Sequence, residues 1–87
     1  MQTFTFFSDP GHGWAQVPRT MLTELGITAK ITPYSYQRGE QVYLEEDCDL
    51  ATFYNAYVAK HGQPPKFQER SSDRSSRIRS YASYRSA

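Results

Sequence analysis

The sequence predicts a single small α+β domain: a mostly antiparallel sheet of four to five strands, two helices on one face, and a basic C-terminal tail. Three observations predict it. Aromatic and β-branched residues alternate with period two near the N-terminus. Two stretches carry apolar residues at helical spacing, and each is stopped by a glycine. Short turn-rich connectors join neighbouring strands, which favours hairpins in the order β-β-α-β-β-α-β. At 87 residues the chain makes one domain, and such a chain buries only ~60% of its unfolded surface. Aromatic residues, 15% of the total, partly offset this because each ring removes a large apolar area from water.

The elements follow in order. In TFTFFSD, Phe4 and Phe6 fall on one face and Thr3, Thr5 and Phe7 on the other, as in a strand. DPGHG reads as a turn and WAQV as the returning strand. Pro18 suits the first position of a helix that places Met21, Leu22 and Leu25 on one stripe. Gly26 stops this helix, and Ile27 closes the contact that accompanies a glycine cap. A second hairpin turns at QRGE, with Tyr34 and Tyr36 on one arm and Val42, Tyr43 and Leu44 on the other. Pro33 cannot donate to a ladder, so that strand is an edge or begins after it. Asp49 is the expected N-cap of a helix that buries Leu50, Phe53, Tyr57 and Val58. Lys60 and His61 favour its C-terminal end, and Gly62, Pro64 and Pro65 stop it. KFQER adds one more strand. The compact domain is expected over residues 1–69, with 70–87 as an Arg/Ser/Tyr-rich tail.

Charge is unevenly placed. Residues 1–65 carry −3 and residues 66–87 carry +4, a balance of +1 overall. A basic tail on an acidic body either binds an anionic partner or docks on its own domain. The tail composition alone suits a disordered segment. Ile78, Tyr81 and Tyr84, at spacings of three, instead suit a short helix or apolar clamp, and a docked tail is the expectation. The single cysteine, Cys48, excludes an intramolecular disulfide and a multi-cysteine zinc site and fits a reducing cytoplasm. No membrane span is expected, since no apolar run approaches ~18 residues.

Candidate functional residues fall in three segments. Asp9, Gly11, His12, Gly13 and Trp14 form the first, a binding loop. Asp9 and His12 suit acid–base or metal chemistry, and the two glycines suit exposing amides to a phosphate. Turn chemistry accounts for Asp9, Pro10 and the glycines equally well, which leaves His12 and Trp14 unexplained. Neither a P-loop nor a dinucleotide fingerprint is present. The second segment is the acidic run Glu45, Glu46, Asp47 and Asp49, read as helix-end capping and solvated charge, or as a partner surface, ahead of a metal site. Cys48 within it lacks a nearby histidine in sequence for nucleophilic work. The third is the tail, where Arg70, Arg74, Arg77 and Arg79 suit phosphates and Tyr81 and Tyr84 suit stacking on bases. Tyr34, Tyr36, Tyr43, Tyr54 and Tyr57 suit an interface, although most of them are expected to serve the core of so small a domain and some to remain at the surface.

The pattern SDPGHGW…YSYxxGxxVYLEEDCD…IRSYxxY resembles a group of small proteins carried by bacteriophages and other mobile elements. The resemblance spans Phe6 to Tyr84 and carries no activity, cofactor or catalytic residue. It implies a context in which small proteins inhibit host machinery or host defence. The expectation is therefore a non-enzymatic binder of a host protein, such as a CRISPR component, working in the cytoplasm without cofactor or metal. The alternative is a nucleic-acid or nucleotide binder that uses the glycine loop and tail arginines. A homodimer is also compatible with so small a domain. A hydrolase built on Asp9, His12 and the acidic run ranks last, because no nucleophile–base–orienter set assembles from the sequence.

Overall fold

Phe4 and Phe6 leave one face of the first strand and Phe7 the other, and that split organises the molecule. The computed structural model describes residues 2–86. Strands β1 (Thr3–Ser8) and β2 (Gly13–Pro18) form the first hairpin and lead into helix α1 (Arg19–Glu24). A short 3₁₀ turn, Thr28–Lys30, precedes the second hairpin, β3 (Tyr36–Arg38) and β4 (Gln41–Glu45). Helix α2 (Leu50–His61), β5 (Lys66–Ser71), a 3₁₀ turn (Arg77–Ser80) and β6 (Ala82–Ser83) complete the chain. The six strands lie in the order β5-β1-β2-β4-β3-β6. All pairs are antiparallel except β1 with β5, which run parallel from Thr3↔Lys66 to Ser8↔Ser71. The sheet thus has more strands than the four to five expected. β5 is parallel because it follows α2, and a helix crossover can return the chain in the same direction.

Helices and sheet meet on one face. Phe4, Ala15, Val17, Val42 and Leu44 from the strands pack with Met21 and Leu22 of α1 and with Phe53 and Tyr57 of α2. Phe4 meets Phe53 and Tyr57 edge-on at centroid distances of 5.2 and 5.9 Å, the arrangement ring quadrupoles favour. Leu25, Leu50 and Val58 are only partly buried. The first helix ends as expected: Gly26 adopts φ 71°, its N–H donates to Thr23 O, and the N–H of Ile27 donates to Leu22 O. These bonds make a Schellman cap, with Ile27 and Leu22 buried in the same cluster. Pro18 ends β2 and stands at the N-cap of α1, one residue before the first helical position expected for it.

Three local expectations change. Strand β3 begins at Tyr36, so Pro33 lies before it and Tyr34 is off the ladder in a turn, 71% exposed. Asp49 occupies the N-cap position of α2 but its carboxylate makes no cap bond. It turns into the Thr32–Ser35 loop, where three donors compete for it. Turn chemistry would explain Gly11 and Gly13 by positive φ, yet neither has it. They are glycines because neighbours approach closely. A Cβ at Gly11 would lie 2.8 Å from the Arg79 guanidinium, and one at Gly13 would overlap the Phe6 ring. Gly13→Ala should therefore destabilise the fold by about 1–3 kcal/mol, the usual cost of overpacking. A wild-type midpoint in urea for that variant would show that Phe6 moves aside freely.

The opposite face is covered by the tail. Ile78 and Tyr81 pack onto Trp14, Tyr43, Phe7 and Tyr36 as a second cluster. The chain then runs along the sheet edge, where β6 pairs with β3 at Tyr36↔Ser83 and Gln37↔Ala82. Beyond that edge Tyr84 enters the first core, 3% exposed, with its N–H donating to Ser35 O and its hydroxyl to Thr28 O at 2.6 Å. Residues at spacings of three thus end on opposite faces of the sheet, because the chain becomes extended after the 3₁₀ turn. Arg19 stacks over the Tyr84 ring at 5.2 Å and donates to Arg85 O.

Candidate functional site

The hairpin turn that opens the chain is organised by one carboxylate. Asp9 Oδ1 accepts from the N–H groups of Gly11 and His12, each at 3.0 Å, which closes the turn locally. Its other oxygen accepts from Ser76 N–H at 2.8 Å, and Arg79 binds both oxygens, Nε at 2.7 Å and a terminal nitrogen at 2.9 Å. The carboxylate is fully buried and saturated. The Arg79 bonds, followed by that from Ser76, hold its pKa far below the ordinary carboxylate range, and Arg79 is raised in turn. Of the two glycine amides that the sequence offered to a phosphate, that of Gly11 is therefore spent on Asp9, and Gly13 belongs to the β1–β2 ladder. Of the tail arginines, Arg79 is the one in a salt bridge among the described residues, so the tail docks by insertion and hydrogen bonds more than by charge. Arg38 donates to the Tyr81 hydroxyl at 3.2 Å and covers its ring.

Trp14 is not at a tip. It lies in β2, 1% exposed, paired across the ladder with Glu45 and covered by the Arg79 guanidinium at 5.4 Å. Alternation places Trp14, Tyr43 and Glu45 on the tail face, and the turn brings His12 beside them. His12 Nδ1 lies 3.0 Å from Glu45 Oε2, while Glu45 Oε1 accepts from Asp47 N–H at 2.7 Å. The Glu45 N–H donates to Ser35 Oγ, whose hydroxyl donates to Asp49, so the strand end is pinned from behind.

These residues wall a cavity of about 310 Å³ lined by His12, Trp14, Tyr34, Tyr36, Glu45, Asp47, Cys48 and Arg79. Parts of all three sequence segments meet there. His12, Glu45 and Asp47 each offer a ligand atom within 4.8 Å of the others. The Cys48 thiol, exposed at the mouth, is pushed up by desolvation and by Glu45, Asp49 and Asp47. That environment keeps the proton on sulfur, opposite to what a nucleophile needs.

Several assigned residues are placed elsewhere. Tyr84 and Tyr43 are buried, and burial raises both phenol pKa values. Gly13 is buried under Phe6. Tyr84 and Gly13 are packing residues that offer no surface to a partner, while Tyr43 reaches solvent only at the floor of a groove. Glu45 is buried and bonded to His12, where capping or solvated charge was expected. Glu46, Asp47, Arg74 and Arg77 are exposed. Arg74 and Arg77 border a second groove of about 380 Å³ with Phe7, Tyr43, Ile78, Tyr81 and three serines. The sequence reading missed the Thr32–Ser35–Asp49 network; its one visible signal was a Thr and a Ser flanking Pro33–Tyr34. Among the described residues no helix is long and apolar enough to cross a membrane. The chain matches no protein-family model, no curated protein and no solved structure.

Proposed function

We propose that this protein is a non-enzymatic binder that occupies a host protein, such as a component of antiviral defence, through the rim of the His12–Tyr34–Asp47 cavity. The observation that carries the reading is Tyr34, a large ring 71% exposed beside a concave, polar and aromatic surface. An exposed aromatic next to a pocket with a polar rim has the anatomy of an interaction hot spot. The docked tail supports it by holding Arg79 and Tyr81 in fixed places, which lowers the ordering cost of association. Tagged protein expressed in a bacterial host should retain one defined protein in stoichiometric amount. Tyr34→Ala with Asp47→Arg should release it, while Tyr54→Ala, at an exposed ring on α2, should not. Retention that ignores both changes would remove the assignment.

A second reading is favoured by the other groove. Its aromatic floor, with Arg74, Arg77 and serine hydroxyls at the border, suits a nucleotide or single-stranded nucleic acid, rings for the base and arginines for the phosphate. In that case affinity for an oligonucleotide should fall steeply with salt, and the slope should shrink in Arg74→Ala/Arg77→Ala.

A further inference from the structure

One hydrogen bond or ion pair accounts for His12 and Glu45 as a pair, but not for the third member. Asp47 follows Glu45 by two residues, and its N–H, by donating to Glu45 Oε1, brings the two carboxylates to one side of the cavity. Like charges so close repel unless a cation lies between them. Among the described residues, Arg79 is the one permanent cation lining this cavity, and it is already matched by Asp9. The cavity is therefore left with uncompensated negative charge, one imidazole and two carboxylates. A further observation is independent of that cluster. Trp14 walls the same cavity, is 1% exposed, and its Nε1–H has no hydrogen-bond partner among the described residues. A buried donor left unpaired costs free energy, and an acceptor oxygen brought in by a ligand removes that cost.

We infer that His12, Glu45 and Asp47 form a binding site for a divalent transition ion of the zinc class, in the cavity whose wall Trp14 shares. The donor set decides the class. One imidazole nitrogen with two carboxylate oxygens suits zinc and its neighbours, whereas calcium and magnesium prefer all-oxygen shells of six or more. Tetrahedral coordination needs ligand atoms roughly 3.3–3.6 Å apart. His12 and Glu45 are already 3.0 Å apart, and the spread of up to 4.8 Å closes by rotation of the exposed Asp47 side chain. Ligation at Nδ1 uses the neutral ring with its proton on Nε2. The Asp47 N–H and the Glu45 backbone bond to Ser35 act as the outer shell that orients the carboxylate. This inference uses the cavity beneath the rim and does not depend on any protein partner.

The test is titration of the untagged full chain with Zn²⁺, and with Co²⁺ as a spectroscopic probe. One ion should bind per chain, and millimolar Mg²⁺ should not displace it. His12→Gln and Asp47→Asn should each weaken Zn²⁺ binding by about tenfold or more, the usual effect of removing one ligand or its support. Both residues are exposed, so the variants should keep the wild-type circular dichroism spectrum. His61→Gln should bind as wild type, which separates this site from the His61–Glu24 pair at the ends of the helices. Zn²⁺ binding that survives both His12→Gln and Asp47→Asn, or that is lost in His61→Gln, overturns the assignment. So does loss in Cys48→Ser with retention in Asp47→Asn, because the ion would then sit on the thiol. Loss of zinc binding with an unchanged host-protein complex, or the reverse, tells the two proposals apart.

Discussion

Asp49→Ala should lower the unfolding free energy by about 3 kcal/mol, read as a shift of the urea midpoint without a change in slope. The carboxylate is 1% exposed and accepts from the Thr32 N–H at 3.1 Å, the Thr32 hydroxyl at 2.8 Å and the Ser35 hydroxyl. Alanine leaves these donors facing a void. A buried donor without a partner costs about 1–3 kcal/mol, and hydroxyl rotation recovers part of the sum. The loop they hold also carries Ser35 O, which accepts from Tyr84 N–H, so the tail's last anchor should loosen as well. Asn at the same position keeps the shape and one acceptor oxygen, and should fall between. A loss below about 1 kcal/mol for alanine would mean that the Thr32 and Ser35 donors find other acceptors once the carboxylate is gone.

Asp9→Ala should free the tail from the sheet while leaving the helix-face core folded. The carboxylate links the opening turn to Ser76 and Arg79, and through them positions Ile78. Without it, amide exchange and proteolysis over residues 76–84 should accelerate by about tenfold or more, as for a segment opened locally. Amides of Phe53 to Tyr57 should keep their protection. Acid provides the same test without mutation. The Asp9 pKa is lowered on folding, so its contribution is complete above the unfolded value of about 3.9 and declines as pH falls below it. Tail protection should therefore fade from about pH 4 downward, and Asp9→Asn should abolish that dependence. Tail exchange unaffected by either change would show that Ile78 and Tyr84 hold the segment on their own.

Much of the architecture could be read from local pattern. The split of Phe4 and Phe6 from Phe7, the glycine stops at Gly26 and Gly62, and the second hairpin follow from periods of two and 3.6 and from turn chemistry. The three candidate segments were legible too, because histidine, tryptophan and clustered acids are residue types that ordinary turns do not need. Their meeting was not legible. His12 and Glu45 are 33 positions apart, and Asp9 and Arg79 are 70 apart. Pairing over such separations depends on strand register, here Trp14↔Glu45, which no local window contains.

The sequence by itself determined both helices and five of the six strands, the apolar faces of the two hairpins and helices, and where the chain turns between them. These are consequences of side-chain spacing within a few residues. Only the tertiary structure decided the parallel β5, the passage of the tail from one face to the other, and the fate of each polar group. Asp49 left the helix end for Thr32 and Ser35, and Asp9 took the amides of its own turn together with Arg79. A buried carboxylate takes the donors that folding brings within reach, and that set is fixed by packing at long range.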